Sequence, residues 1–323
     1  MRRCVSLGIP VRACSRAPID PAALLGEAAA SAIVPWSSPL VTLVDGVDVA
    51  RSSSEASSVG TPAPSPSDAA LAAAVAGARL VVFAATASAS GDPNAVDHLG
   101  CAATARACVA AGVPRLVLVS GAGVTRRASD AYRFLNLFGR RMDAKVAGEA
   151  ALRAVFREAS RGSGSFSSKK RVGDDEEEGG ERGEPRGPAP SYTIVRPSGL
   201  LDGPGRGPAA LATNQGDVAA GFIDRADVAA CCVAAGLSGA CAGCTFEVYA
   251  AGTAVSAETL AVSDILSDPA ARRVARALEA AANRRTKGER EGGDDAVTAR
   301  ERRGGDWETL FEGLVRDEEA EWG

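Results

Sequence analysis

Short runs of β-branched and aliphatic residues recur along the chain, separated by alanine-rich segments whose apolar positions repeat at three-and-four spacing. That alternation is what most limits the fold. A strand, a helix and another strand in succession close compactly when the strands lie parallel and the helices cover both faces of the sheet. The pattern predicts strands over 9–14, 40–44, 80–85, 116–120, 192–196 and 245–249, and helices over 68–76, 93–111, 138–158 and 225–237. Asp224 and Asp227 stand where an N-cap and its acidic follower belong. The expected architecture is α/β, a doubly wound parallel sheet.

Three stretches break the pattern. Residues 51–67 and 160–190 are rich in Ser, Gly, Pro and charge and bury too little apolar surface to fold, so both read as disordered insertions. The second contains the run Asp174–Glu178, a solvated block of acids. A charged stretch near 283–305 tethers a short terminal segment. The expected organisation is one domain over 1–255 and a helical, partly disordered extension over 256–323.

With 46% hydrophobic residues but only 4% aromatics, the core is expected to be finely packed and helix-rich. A net charge of −4 without a basic stripe excludes nucleic acid as a partner. No run reaches the roughly 20 apolar residues of a membrane span, and no signal core is present, so the chain reads as soluble and intracellular, in plastid or cytoplasm. The eight cysteines lie mostly in alanine-rich helices and read as free thiols; Cys241 and Cys244 form a lone CxxC without the partners a zinc site needs, so no metal is expected. His98, the single histidine, reads as structural.

Four segments in order resemble the atypical short-chain dehydrogenase/reductase family, close to its NmrA-like and Tic62-like groups. They are VRACSR (11–16); DAALAAAVAGARLVVFAATAS (68–88); GVPRLVLVSGAGV (112–124); and the combination of AKVAGEAALRAV (144–155), SYTIVRPSGLLDGPG (191–205) and FIDRADVAACCVAA (222–235). The resemblance implies a Rossmann-like sheet that binds NAD(P). It also implies a first strand and a glycine-rich phosphate loop about 20 residues upstream of VRA. Only ten residues precede Val11, so this strand and loop are missing from the chain as given. Either they precede the given start, or the sheet lacks its central strand and leaves the second and fourth strands without their shared neighbour. VRACSR also reads alternatively as part of a targeting peptide.

The resemblance places the cofactor residue by residue. Arg16 and Arg12 end the second strand, where a guanidinium fork grips the adenosine 2′-phosphate, which favours NADP over NAD. Asp45 or Asp48 in VDGVDV can accept from the adenine amino group, a turn-forming aspartate being the alternative. Ala84, Ala85 and Thr86 end a strand on the ligand side, where small residues let the dinucleotide approach the backbone. Ser120 and Lys145 are the candidate catalytic pair at the nicotinamide end, a hydroxyl to orient a carbonyl and an ammonium to hold the ribose. The alternative for Lys145 is an exposed lysine paired with Glu149. Pro197, Ser198, Gly199 and Leu200 follow the YTIVRP strand and pass beside the nicotinamide amide.

An orthodox enzyme of the family places tyrosine four residues before the lysine. Here that residue is Arg141, and Tyr132, thirteen residues before Lys145, cannot sit one helical turn away. Two functions follow: an NADP-dependent oxidoreductase acting on a small carbonyl compound, or a non-catalytic dinucleotide-binding redox sensor or assembly scaffold.

Overall fold

The computed structural model describes residues 2–17, 40–50, 66–164, 189–257 and 300–320. Residues 51–65 and 165–188, most of both expected insertions, lie outside the described residues, as does most of the 283–305 tether. Helices reach into the described ends of both segments. Pro66 and Ser67 open a helix, where a proline in the first turn forfeits no hydrogen bond, and Ser160–Gly164 continue another.

In chain order the elements are α1 (Arg2–Ser6), β1 (Val11–Cys14), β2 (Val41–Val44), α2 (Pro66–Val75), β3 (Leu80–Phe83), a π-helical stretch (Asn94–Gly100), α3 (Cys101–Ala110), β4 (Arg115–Val119), α4 (Asp130–Asn136), α5 (Arg141–Gly164) and β5 (Ser191–Pro197). They continue with β6 (Gly199–Leu201), β7 (Leu211–Asn214), β8 (Ala219–Ala220), β9 (Phe222–Asp224), α6 (Arg225–Leu237), β10 (Cys244–Ala250), β11 (Val255–Ser256), β12 (Arg302–Arg303) and α7 (Trp307–Phe311).

The main sheet runs β12-β7-β10-β5-β4-β3. Strands β3, β4, β5 and β10 are mutually parallel, and β7 and β12 add antiparallel at the edge. One face packs Leu116, Leu118 and Ile194 against Leu71, Cys101, Cys108, Leu152 and Phe156 of the preceding and following helices. The other packs Val117, Val195, Phe246 and Val248 against Val228, Cys231 and Ala235 of α6, and Leu310 and Phe311 of α7. Helices therefore cover both faces, and the fold is Rossmann-like.

Strands β1 and β2 form a separate parallel pair. Among the described residues no strand lies between this pair and β3, whose Val82 is 39% exposed. The pair is nonetheless tied to the main body: Val47 joins the first core cluster, and Val44 and Val49 pack against it.

Two helices differ from their sequence reading. The stretch expected as one helix over 93–111 is π-helical to Gly100 and α-helical beyond, which shifts the side chains of its first turns around the axis. The helix expected from Phe138 begins at Arg141, because Gly139 and Arg140 adopt positive φ (73° and 59°) and interrupt it.

The C-terminal segment docks on the same sheet. Gln215 exchanges hydrogen bonds with the Val315 backbone (2.9 Å each way), and Asp317 Oδ2 accepts from Arg153 Nε (2.7 Å), Thr245 Oγ1 (2.6 Å) and Tyr192 Oη (3.1 Å). A cavity of about 240 Å³ remains beside this cluster, lined by Arg153, Arg157, Tyr192, Arg196, Thr245 and Asp317 among others. Among the described residues no helix is long and apolar enough to cross a membrane.

Candidate functional site

The carboxyl ends of β3, β4 and β5 lie side by side, as their parallel register requires. Loops leaving these ends converge there. Ser120 N–H donates to Val195 O (2.8 Å) and Ala122 N–H to Pro197 O (3.0 Å), so the loop after β4 is fastened to the end of β5. Ala84, Ala85 and Thr86 are exposed at the end of β3.

Lys145 projects from α5 toward these ends with 20% of its side chain exposed, and its Nζ lies 2.9 Å from Asp97 Oδ1. Its partner is therefore Asp97, not Glu149. Asp97 is 4% exposed and also accepts from Thr86 Oγ1 (2.8 Å) and Ala87 N–H (3.1 Å). Asp97, Ser120 and Lys145 share a cleft of about 10 Å³ with Phe83, Ala85, Leu118 and Val119. Sequence reasoning missed Asp97, because a strictly α-helical reading of 93–111 gives that aspartate no distinctive face.

Glu149 turns inward instead. Arg196 grips it through Nη2–Oε2 (2.6 Å) and Nε–Oε1 (3.0 Å), and Arg153 adds a contact at 3.2 Å. Burial opposes ionisation of Glu149, yet the two guanidinium groups overcome it and hold the carboxyl well below the usual range. Arg196 also reaches Glu247 (3.4 Å), whose complete burial pushes its pKa up to about 8.

Ser198 Oγ is buried without a hydrogen-bond partner among the described residues, while Ser120 Oγ lies buried beside Glu149, whose carboxyl it helps to hold down. An orphaned hydroxyl at a strand end, as at Ser198, calls for an outside partner. Gly199 passes close to Phe222, where a Cβ would come within 2.8 Å of the ring, and Leu200 is 44% exposed.

The residues expected around the adenosine lie on the separate β1–β2 pair and its flanks. Arg16 and Asp45 are exposed there. Arg12 is otherwise engaged: its Nη1 donates to the carbonyls of Ala73 (3.2 Å), Ala74 (2.7 Å) and Ala76 (3.1 Å), closing the C-terminus of α2.

The two residues weighed for the phenol role are also occupied. Tyr132 Oη donates to Asp143, and burial with that bond pushes the phenol up to about 12. Arg141 donates to Ala87 O and Ser88 O, both at 2.6 Å. His98 Nδ1 meets Asn94 Oδ1 at 2.9 Å in the π-helical stretch. Six of the cysteines are buried free thiols, and no cluster of metal-ligating residues occurs among the described residues.

Residues 50–159, which include β3, β4, Asp97, Ser120 and Lys145, match the family described as NAD(P)H-binding. This stretch of the chain is similar to NAD(P)H-binding domains. The match accords with the short-chain dehydrogenase/reductase resemblance and takes in Asp97, Ser120 and Lys145, while β5 and Ser198 lie beyond it. Solved structures similar to the chain include a short-chain dehydrogenase/reductase from Veillonella parvula (15% identity, 81% of this chain and 91% of that one, TM-score 0.47). The same organism's enzyme in complex with NADP is similar at 15% identity, over 78% and 88% of the two chains, with TM-score 0.46. ChuY, an anaerobillin reductase from Escherichia coli O157:H7, is similar at 19% identity over 77% and 88%, with TM-score 0.45. No curated protein matches the chain.

Proposed function

We propose that the protein binds NADP at the carboxyl ends of β3, β4 and β5 and is an oxidoreductase in type, acting on a small carbonyl compound. The observation that carries this reading is the Lys145 ammonium and the Ser120 hydroxyl lining one cleft within residues that match an NAD(P)H-binding family, with the unpartnered buried hydroxyl of Ser198 following the neighbouring strand β5. A bound nicotinamide dinucleotide would supply or accept the hydride. Lys145 would hold the ribose hydroxyls with the N–H groups not spent on Asp97, and Ser120 would orient a carbonyl. Ser198, with Pro197, Gly199 and Leu200, would border the nicotinamide. Ala84, Ala85 and Thr86 would admit the dinucleotide beside the backbone, and the exposed Arg16 would meet a 2′-phosphate, with Asp45 near the adenine.

A second reading, dinucleotide binding without turnover, as in a redox sensor or scaffold, is favoured by one observation. Neither Tyr132 nor Arg141 is free to deliver a proton beside Lys145. NADPH and NADH titrations of the full chain, with Arg16→Ala alongside, test the cofactor assignment. NADPH is expected to bind more tightly than NADH and Arg16→Ala to narrow the difference; equal affinities before mutation remove Arg16 from the site. Turnover on aldehydes and ketones, followed by NADPH absorbance, then separates the readings, a robust reductase rate excluding the second.

A further inference from the structure

Residues Thr86–Ser88 follow the end of β3 and are gripped from two sides. On one side Asp97 accepts from Thr86 Oγ1 (2.8 Å) and Ala87 N–H (3.1 Å). On the other, Arg141 donates to Ala87 O and Ser88 O at 2.6 Å each. Asp97 is itself tied to Lys145, so both grips originate on α5, from residues four apart and hence on one helix face. The close approach depends on Gly148. A Cβ there would come within 2.1 Å of Asp97 O, so only glycine lets α5 touch the π-helical backbone that presents Asp97.

We propose that Arg141 and Asp97 are positioning residues, and that together they hold Thr86–Ser88 as a fixed lip against which the dinucleotide lies. Thr86 and Ser88 are exposed while Ala87 between them is buried, and a loop this short needs no pair of charged anchors for folding alone. Two of them, one on each side of the Ala87 peptide, are what a binding edge requires, because a contact held in place beforehand loses less entropy when the ligand arrives. In this chain the side chain one turn before the lysine serves the loop, where an orthodox enzyme keeps a proton donor. The proposal rests on the dinucleotide lying at the ends of β3–β5.

Hydrogen exchange at the Ala87 amide and NADPH affinity, measured on the same full-length variants, test it. Arg141→Met and Asp97→Asn are each expected to speed Ala87 exchange and to weaken NADPH binding roughly tenfold, the size expected for losing a hydrogen bond to a charged group. The double variant should weaken binding less than the product of the two single effects, because both act through one loop. Arg141→Lys should restore part of the affinity, and the melting temperature of Arg141→Met should stay close to that of the wild type. Unchanged Ala87 exchange in Arg141→Met overturns the clamp. Faster exchange with unaltered NADPH affinity overturns its role in binding. Protected Ala87 in a wild-type protein that binds neither NADPH nor NADH overturns that role together with the cofactor reading, while the clamp itself stands.

Discussion

Arg196 holds Glu149 in a two-point fork, 2.6 and 3.0 Å, with both side chains almost wholly buried. The pair joins the end of β5 to the middle of α5, one turn beyond Lys145, and so fixes the helix that presents Lys145 to the strand ends. Removing one member of a buried ion pair strands the other. Glu149→Gln is therefore expected to cost about 3–5 kcal/mol in chemical denaturation. A loss below about 1 kcal/mol, the size of an exposed pair, would contradict the description.

The same carboxyl makes stability depend on acid. Its folded pKa is held to about 2 by Arg196 and Arg153 against burial, below the ordinary 4.5, so the unfolded chain takes up the proton first. The stabilisation is present above pH 4.5 and is lost as pH falls through the folded value. Melting temperatures of wild type and Glu149→Gln should converge between about pH 4.5 and 2; parallel curves would refute the linkage.

Glu247 runs the other way. Burial raises its folded pKa from 4.5 to about 8, so its contribution is fully present below pH 4.5 and declines as pH rises toward 8, where the unfolded chain has already ionised. Glu247→Gln, which keeps one acceptor oxygen for either Arg196 or the Asp217 amide and cannot ionise, should flatten this decline and raise the melting temperature at pH 8 relative to its own effect at pH 4. A gain that is the same at pH 4 and pH 8 would count against a protonated Glu247.

Asp317 latches the C-terminal segment to the sheet through Arg153, Thr245 and Tyr192. Asp317→Ala is expected to cost about 1.5–3 kcal/mol, the range for hydrogen bonds to a charged group, and to speed proteolysis near residues 312–320. Unaltered cleavage would show that Gln215, Leu310 and Phe311 hold the segment without Asp317.

Tyr132 spends its hydroxyl on Asp143, whose carboxyl that bond and the one from Asn136 hold down to about 2. Tyr132→Phe should therefore cost about 1 kcal/mol of stability and leave dinucleotide affinity unchanged. Loss of a robust reductase rate in this variant would move the phenol into the reaction.

Strands β3, β4, β5 and β10 and helix α6 were legible because each carries its own period, and local periodicity is what a sequence displays most clearly. Strand β7, reading LATN, has no alternation, and its partners at 247–250 and 302–303 are remote, so nothing local marked it. Ser120 and Lys145 were legible from their segments, and both line the strand-end cleft. Asp97 was not, since its link to Lys145 spans 48 positions and depends on a π-helical turn. Glu149 looked like a surface partner for Lys145 four residues earlier, yet helix spacing alone does not say which of two charged side chains faces the sheet.

The central claim is that Lys145 stands at a dinucleotide site, and saturable NADPH binding to the full chain tests it most directly. NADPH fluorescence is to be titrated against wild type and Lys145→Gln, with circular dichroism confirming that both are folded. The wild type should saturate, with NADPH bound more tightly than NADH, and Lys145→Gln should weaken NADPH binding by about tenfold or more, as the loss of an ammonium hydrogen bond requires. A wild-type protein that saturates with neither nucleotide, or a folded Lys145→Gln that binds NADPH as wild type does, would contradict it.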